Sequence, residues 1–276
     1  GVPSKTLNIA LAGTGVGKSL FMCHVASSFL TQGKNVLYIT LEMAEERIAE
    51  RIDANLFDIP MEDIRDMPKQ LYDNKVDKLN AKTKGQLIIK EYPTASAHSG
   101  HFRALINELT LKKSFKPDVV FIDYLNICAS ARFKGGNISS YFYIKAIAEE
   151  LRGLAVEFDM PIFSATQTTR TGFASTDIGL EDTSESFGLP ATADFMFALM
   201  SNEELEALGQ MKVKQLKNRY NDPSINRAFI VGVDRAKMRL YDVENNAQNI
   251  VDSGQKQQDN YPKPEDAYSK FSDFKI

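Results

Sequence analysis

Residues Ala12–Ser19 read Ala-Gly-Thr-Gly-Val-Gly-Lys-Ser and stand between an apolar run, Leu7–Leu11, and a helical one, Leu20–Leu30. No other feature constrains the fold as tightly. Strand, glycine-rich loop and helix in that order make a cradle whose backbone N–H groups close on the β- and γ-phosphates of a nucleotide. Gly13, Gly15 and Gly17 let the turn curl without a Cβ in the way. Thr14, Val16 and Leu20 fill out the loop and the first helical turn. Lys18 neutralises phosphate charge, and Ser19 offers a hydroxyl to Mg²⁺. The strict pattern has glycine where this chain has Ala12, a small perturbation beside the loss of Lys18. The expected ligands are therefore ATP or GTP with Mg²⁺.

With 276 residues, 43% of them hydrophobic, the chain has material for one full core and some trimmings. Lysine and arginine total 33 against 36 acids, a formal net charge of −3, so global electrostatics do not draw in nucleic acid. Any DNA contact must use positive charge gathered on loops. Cys23 and Cys128 lie in apolar surroundings without a CxxC spacing and read as buried thiols of a reducing compartment. His98 and His101 fall in a polar turn and read as surface imidazoles rather than zinc ligands. Without a leader-like or long uncharged apolar run, the expectation is a cytoplasmic protein with no membrane partner. For a viral chain that means the host cytoplasm. The loop arrives almost at once after Gly1, the pattern of a piece from a longer polypeptide.

Short apolar runs alternate with amphipathic segments from Thr6 to about Met200. They predict an α/β fold: a mostly parallel, twisted sheet with helices on both faces. The expected strands are Leu7–Leu11, Val36–Leu41, Leu87–Glu91, Val119–Asp123, Ile162–Ala165 and Phe195–Leu199. Phe102, Leu105, Ile106 and Leu109 share one helical face; Ile144, Ile147, Ala148, Leu151, Leu154, Ala155 and Phe158 share another. Beyond Glu203, the segments Met211–Arg219, Ala228–Val233 and Met238–Val243 alternate like strands joined by turns, an antiparallel extension at the sheet edge. Residues 1–244 are thus the expected α/β domain. Residues 245–276, rich in Gln, Asn, Asp and Lys, form a polar, mobile tail. Its Tyr268, Phe271 and Phe274 read either as stray aromatics or as an anchor for a partner groove.

Ligands of parallel sheets bind beyond the carboxyl ends of the strands. Glu42 follows the second strand, where a carboxylate can deprotonate attacking water or simply face solvent. Asp123 closes the strand Val119–Ile122, placed to hold the Mg²⁺ shell opposite Ser19. Asp118, at the other end, is its solvated counterpart. Gln167 and Arg170 follow the strand ending at Ala165, where an amide can sense a γ-phosphate.

The phosphate loop, Leu41-Glu42-Met43 with Glu46 and Arg51, Phe121-Ile122-Asp123-Tyr124-Leu125, the Gln167–Arg170 segment and Ala193-Asp194 together resemble the successive motifs of the DnaB-like replicative helicases. The resemblance runs from about Pro3 to Val243. It implies a RecA-like P-loop NTPase that assembles as a homo-hexamer, moves 5′ to 3′ on single-stranded DNA and works with a primase and a helicase loader. It further implies that Glu42 is the catalytic base, Asp123 the metal-shell ligand, Gln167 the γ-phosphate sensor and Arg51 part of the nucleotide site. The Lys-x-Arg element, Lys217 and Arg219, is similar to the family's pair that reaches the neighbouring subunit's nucleotide, with Arg219 as arginine finger. Read alone, the two are solvated cations on an edge strand. Tyr241 is a candidate to stack on the base.

Two loops would then face the ring's channel. The first, Arg132 to Ser140, offers Arg132, Lys134, Gly135, Gly136 and Asn137 to sugar and phosphate; the second, Thr171 to Ser184, is acidic. Relatives often carry glutamine where this chain has Ala191, so no DNA contact is carried over there. The alternative to a helicase is a RecA-type recombinase that forms filaments on DNA, which shares the sheet and the loop. A switch that hydrolyses ATP without binding DNA is a third reading, suited to the acidic composition.

Overall fold

In the computed structural model, six apolar runs become parallel strands: β1 (Leu7–Ala12), β2 (Val36–Thr40), β3 (Leu87–Glu91), β4 (Val119–Asp123), β5 (Ile162–Gln167) and β6 (Phe195–Met200). The structure describes residues 1–133, 138–168, 178–183, 188–222, 225–244 and 248. Three antiparallel strands, β7 (Gln210–Asn218), β8 (Ala228–Asp234) and β9 (Arg239–Asp242), extend the sheet. The spatial order is β3-β2-β4-β5-β1-β6-β7-β8-β9. Every residue of β1, β2 and β4 is buried, as expected of strands covered on both faces.

The helices are α1 (Lys18–Thr31), α2 (Glu45–Phe57), α3 (Met61–Arg65), α4 (Lys69–Lys82), α5 (Ser99–Lys113), α6 (Ser140–Glu157), α7 (Gly188–Thr192) and α8 (Glu203–Ala207). Against one face of the sheet, Leu20, Met22 and Cys23 of α1 and Ile48 and Ile52 of α2 meet Tyr38, Phe121 and Phe163. On the other face, Phe102 and Ile106 of α5 and Ile147 and Leu151 of α6 meet Leu37, Ile39, Val120 and Ile122. Burying an aliphatic or aromatic side chain of this kind contributes about 1.5–3 kcal/mol, and these two layers fix where each strand ends. The division into compact units falls between Val243 and Glu244.

Residues read as surface groups also shape the backbone locally. His98 and His101 act as a helix cap: His98 Nδ1 accepts the Gly100 N–H at 3.0 Å, and His101 Nδ1 accepts the His98 N–H at 3.2 Å, tying down the first turn of α5. Asp118 does not merely face solvent, because its Oδ2 accepts the Asn35 N–H at 2.8 Å at the base of β2. Cys23 and Cys128 are free and buried, as the sequence predicts.

One irregularity matters for the site. Met196 pairs with Lys217 but Phe197 with Gln215, so β7 carries a bulge at Leu216. The extra residue turns Lys217 onto the face that Lys214 already occupies, and Arg219 follows on that face.

Candidate nucleotide site

Gly17 caps the N-terminus of α1 with φ 130°, and Gly15 has φ 80°; both are conformations that side chains rarely adopt. At Gly17 space is short as well, since a Cβ there would meet Met211 Cε at 3.3 Å. The methyl of Ala12 is buried among Ala10, Ala165, Leu199 and Met211, which accounts for alanine at the loop entrance. Thr14 and Gly15 are exposed at the loop tip, Gly13 is buried beneath them, and Val16 packs with Phe21. The Leu20 side chain belongs to the core under α1, so only its backbone remains available to a phosphate.

Sheet register brings the other groups to this edge. Thr40 pairs with Asp123, which puts Glu42 just past the neighbouring strand end, and Ala12 pairs with Gln167. Thr40 Oγ1 donates to Met43 O at 2.8 Å and accepts the Met43 N–H at 3.0 Å, folding the turn that exposes Glu42. Lys18 Nζ donates to Gly13 O at 3.3 Å and stands 5.9 Å from the centre of the Tyr124 ring. The Tyr124 hydroxyl in turn lies 3.1 Å from Gln167 Nε2, which donates to it.

Asp123 is the electrostatic centre. Tyr38, wholly buried in β2, donates its hydroxyl to Asp123 Oδ2 at 2.9 Å, and the Ser19 hydroxyl stands near enough to act on the carboxylate. Oδ1 is buried and has no hydrogen-bond partner of ordinary geometry among the described residues. Burial pushes the Asp123 carboxyl above its ordinary range; the Tyr38 and Ser19 hydroxyls and the Arg51 charge pull it down, while Glu42 adds to the rise. Burial likewise pushes the Lys18 ammonium down, against the pull of Glu42 and Asp123. Arg51, on α2, thus adds a positive charge that acts on Asp123. An unpartnered buried carboxylate oxygen beside a hydroxyl fits Mg²⁺, which needs one or two protein oxygens and takes its other ligands from phosphates and water.

Other predicted residues fall elsewhere. Lys217 and Arg219 fold onto their own protomer: Lys217 Nζ donates to Pro190 O at 2.6 Å and Ala191 O at 3.2 Å, and Arg219 Nε pairs with Asp194 Oδ1 at 3.2 Å. Tyr241 does not reach the loop. It pairs with Gly232, whose neighbours Val231 and Val233 join Val16 and Phe21, so Tyr241 projects from the opposite face of the sheet and covers Gly232. The side chain at the loop is Arg235, whose Nη2 donates to Val16 O at 3.4 Å. Arg132 is ion-paired with Glu149 of α6. Lys134, Gly135, Gly136, Asn137 and Arg170 lie outside the described residues, as do most of the second loop and nearly all of the tail.

Sequence reasoning missed Tyr38, Arg152 and Arg235. For Tyr38 a signal existed: one hydroxyl inside the otherwise apolar run Val36–Ile39 must find a buried acceptor. The Arg152 contact to Asp194 spans 42 positions and leaves no local trace.

A strand–glycine loop–helix cradle at one strand end, with lysine, serine and a buried aspartate converging on it, defines the P-loop nucleotide-binding class. The profile of the DnaB-like helicase C terminal domain matches residues 1–235, and the chain belongs to that family. It is 45% identical over 247 residues to the DnaB-like replicative helicase of Enterobacteria phage T4, covering 88% of this chain and 52% of that protein. It is 30% identical over 159 residues to a probable plasmid replicative DNA helicase of Chlamydia psittaci, covering 56% of this chain and 33% of that one. The chain thus spans about half the length of the phage relative. Its fold is similar to that of a separately solved ATPase domain (TM-score 0.73, 19% identity, 88% of this chain and 87% of that one). It is similar also to a DnaB-like replicative helicase solved in a study of its interactions with primase (0.72, 19%, 88% and 58%). The RecA-like architecture with an antiparallel edge is therefore the fold of this chain.

Proposed function

We propose that this chain is the motor domain of a replicative DNA helicase. Residues 1–244 hydrolyse ATP or GTP at the interfaces of a hexameric ring, which moves 5′ to 3′ on single-stranded DNA and parts the duplex. The observation that carries the reading is the unpartnered Asp123 Oδ1 beside Ser19, with Lys18, Glu42 and Arg51 around it. In this reading Lys18 and the loop from Gly13 to Leu20 hold the triphosphate, and Ser19 and Asp123 hold its cation. A Mg²⁺ ion held there by Ser19 and Asp123 would supply charge neutralisation for the phosphates. Glu42, exposed at the strand end and close enough to act on the charges of Lys18 and Asp123, takes the proton of the attacking water. Gln167, bonded to Tyr124 over Lys18, senses the γ-phosphate and passes its state to the segment that follows β5.

The neighbouring protomer supplies Arg219 with Lys217 beside it, so hydrolysis waits for correct apposition of subunits. Arg132 and the segment Lys134–Asn137 face DNA, together with Arg170, and contact its backbone without reading bases. A primase and a loader are the further partners, and the cytoplasm, the host's for a phage chain, is the compartment. No helix among the described residues is long and apolar enough to cross a membrane.

Glu42→Gln tests the chemistry. The variant keeps nucleotide affinity and loses turnover by roughly 10²–10⁴-fold; undiminished hydrolysis would remove Glu42 from the mechanism. For the motor itself, the longer parent protein should open forked duplexes that carry a 5′ tail. Helical filaments rather than closed rings on single-stranded DNA, seen by electron microscopy, would favour the recombinase.

A further inference from the structure

Asp194, between α7 and β6, is wholly buried and heavily bonded. Arg152 Nε lies 3.0 Å from Oδ2 and 3.3 Å from Oδ1, Arg152 Nη2 lies 3.2 Å from Oδ1, and the Leu7 N–H donates to Oδ2 at 3.0 Å. Arg219 contributes far less: its Nε ion pair at 3.2 Å and one bond of 3.3 Å from Nη2 to Ala191 O. The two arginine side chains, 33% and 42% exposed, line a cavity of about 270 Å³ with Glu149, Gly153 and Thr192. Lys217 adds a third positive charge and shares the Ala191 carbonyl with Arg219.

The asymmetry decides which cation can leave. Without Arg219, Asp194 keeps both bonding edges of Arg152 and the Leu7 N–H. Without Arg152, Arg219 is the one cation among the described residues still in contact with the buried carboxylate, Lys217 acting only from farther off, and such a charge grips its remaining partner strongly. The backbone is indifferent to the exchange, since the Arg219 N–H stays on Asp194 O at 3.0 Å whatever the side chain does.

We propose that Arg152 is a positioning residue for the arginine finger: by neutralising Asp194 it leaves Arg219 on a weak perch, free to swing to the phosphates of an adjoining protomer. This rests on the reading of Arg219 as acting in trans. Arg152 touches no nucleotide in this scheme; it sets how readily the finger is released.

The test uses DNA-stimulated hydrolysis by the assembled full-length parent. Arg152→Gln should lower kcat roughly tenfold to a hundredfold, the value of one charge-assisted contact, with the nucleotide KM unchanged because the cradle is intact. Arg152→Lys, which keeps a point charge, should lose less and guards against a misfolded glutamine variant. In the double variant Arg152→Gln/Asp194→Asn, turnover should recover, because the amide has no charge with which to hold the finger. A merely structural Arg152 predicts losses of turnover that follow the melting temperature of each variant and spread to the nucleotide KM, and that result overturns the proposal. Full turnover in Arg152→Gln overturns it too. Arg219→Ala, run alongside, separates the two layers. Full turnover there removes the finger itself, whereas a dead Arg219→Ala beside an unaffected Arg152→Gln removes only the perch.

Discussion

The two buried aspartates of the sheet have opposite surroundings. Asp123, at the top of a parallel strand, has one oxygen without a partner among the described residues, and burial lifts its carboxyl above the ordinary range. Asp194, where the parallel sheet gives way to its antiparallel edge, is bonded by two arginines and a backbone N–H. One is a charge left incomplete for a ligand; the other is a charge completed from within. A protein keeps an unsatisfied buried carboxylate at a cost in stability only where a bound cation will offset it. The saturated one holds the edge strands in register and carries a detachable cation.

Removing each charge without changing shape should therefore move stability in opposite directions. Asp194→Asn faces an arginine with an amide N–H₂ and should destabilise the fold by roughly 2–4 kcal/mol in denaturant melts. Asp123→Asn still accepts the Tyr38 hydroxyl and sheds a poorly solvated charge. It should be neutral or up to about 1 kcal/mol more stable while abolishing hydrolysis. The pH dependence follows from the raised Asp123 carboxyl: the folded state holds that proton more tightly than the unfolded chain, so its ionisation weakens the fold at neutral pH. Below the ordinary aspartate value of 3.8 both states are protonated, and the advantage of the Asp123→Asn variant should vanish. Equal losses in the two variants at pH 7 would erase the distinction between the sites.

The parallel half is the more legible of these regions. Each of its strands lies within two residues of the expected range because runs such as Val119–Asp123 are continuous, β-branched and bounded by polar residues. Helix α1 shows as the run after the loop, and α5 and α6 as apolar stripes. Helix α4 buries no residue, so it carries no stripe, and α2 hides Ile48 and Ile52 among acids and arginines. Lys18, Ser19, Glu42, Asp123 and Gln167 could be placed because each sits on the loop or at a strand end. The edge is harder. Which face Tyr241 takes depends on its register with β8, and which face Arg219 takes depends on the bulge at Leu216; neither is written in residue types. The Arg152–Asp194 pair requires the tertiary fold.

A smaller effect sharpens the account of Asp123. Tyr38→Phe deletes the hydroxyl on Oδ2 and leaves the buried carboxylate without its hydrogen bond of ordinary geometry, which should cost about 1–3 kcal/mol. In the Asp123→Asn background the same change should cost less, because a neutral amide oxygen is cheaper to leave unbonded. A loss of the same size in both backgrounds would mean that Tyr38 acts through packing on Phe121, whose ring it stacks at 5.7 Å, and not through the carboxylate.

The smallest effect concerns the thiols behind the two faces of the sheet. Burial, with Asp123 nearby, pushes the Cys23 thiol from an ordinary 9.0 to about 12; burial beside Glu150 raises Cys128 as well. In the folded protein at pH 8 a thiol raised this far carries about a thousandfold less thiolate than a free one, and thiolate is the reactive form. Both cysteines should therefore resist a disulfide reagent at pH 8 and react at once in denaturant. Stability should also fall as pH climbs past 9.0, where the unfolded chain ionises its thiols and the folded chain does not. Cys23 packs in the same cluster as Tyr38, whose hydroxyl steadies Asp123. Its labelling rate therefore reports opening of the nucleotide half, while Cys128 reports the layer under α6. Faster labelling of Cys23 that is suppressed by bound nucleotide would mark the incomplete charge as the point where the sheet breathes; equal rates at both thiols would place opening in the fold as a whole.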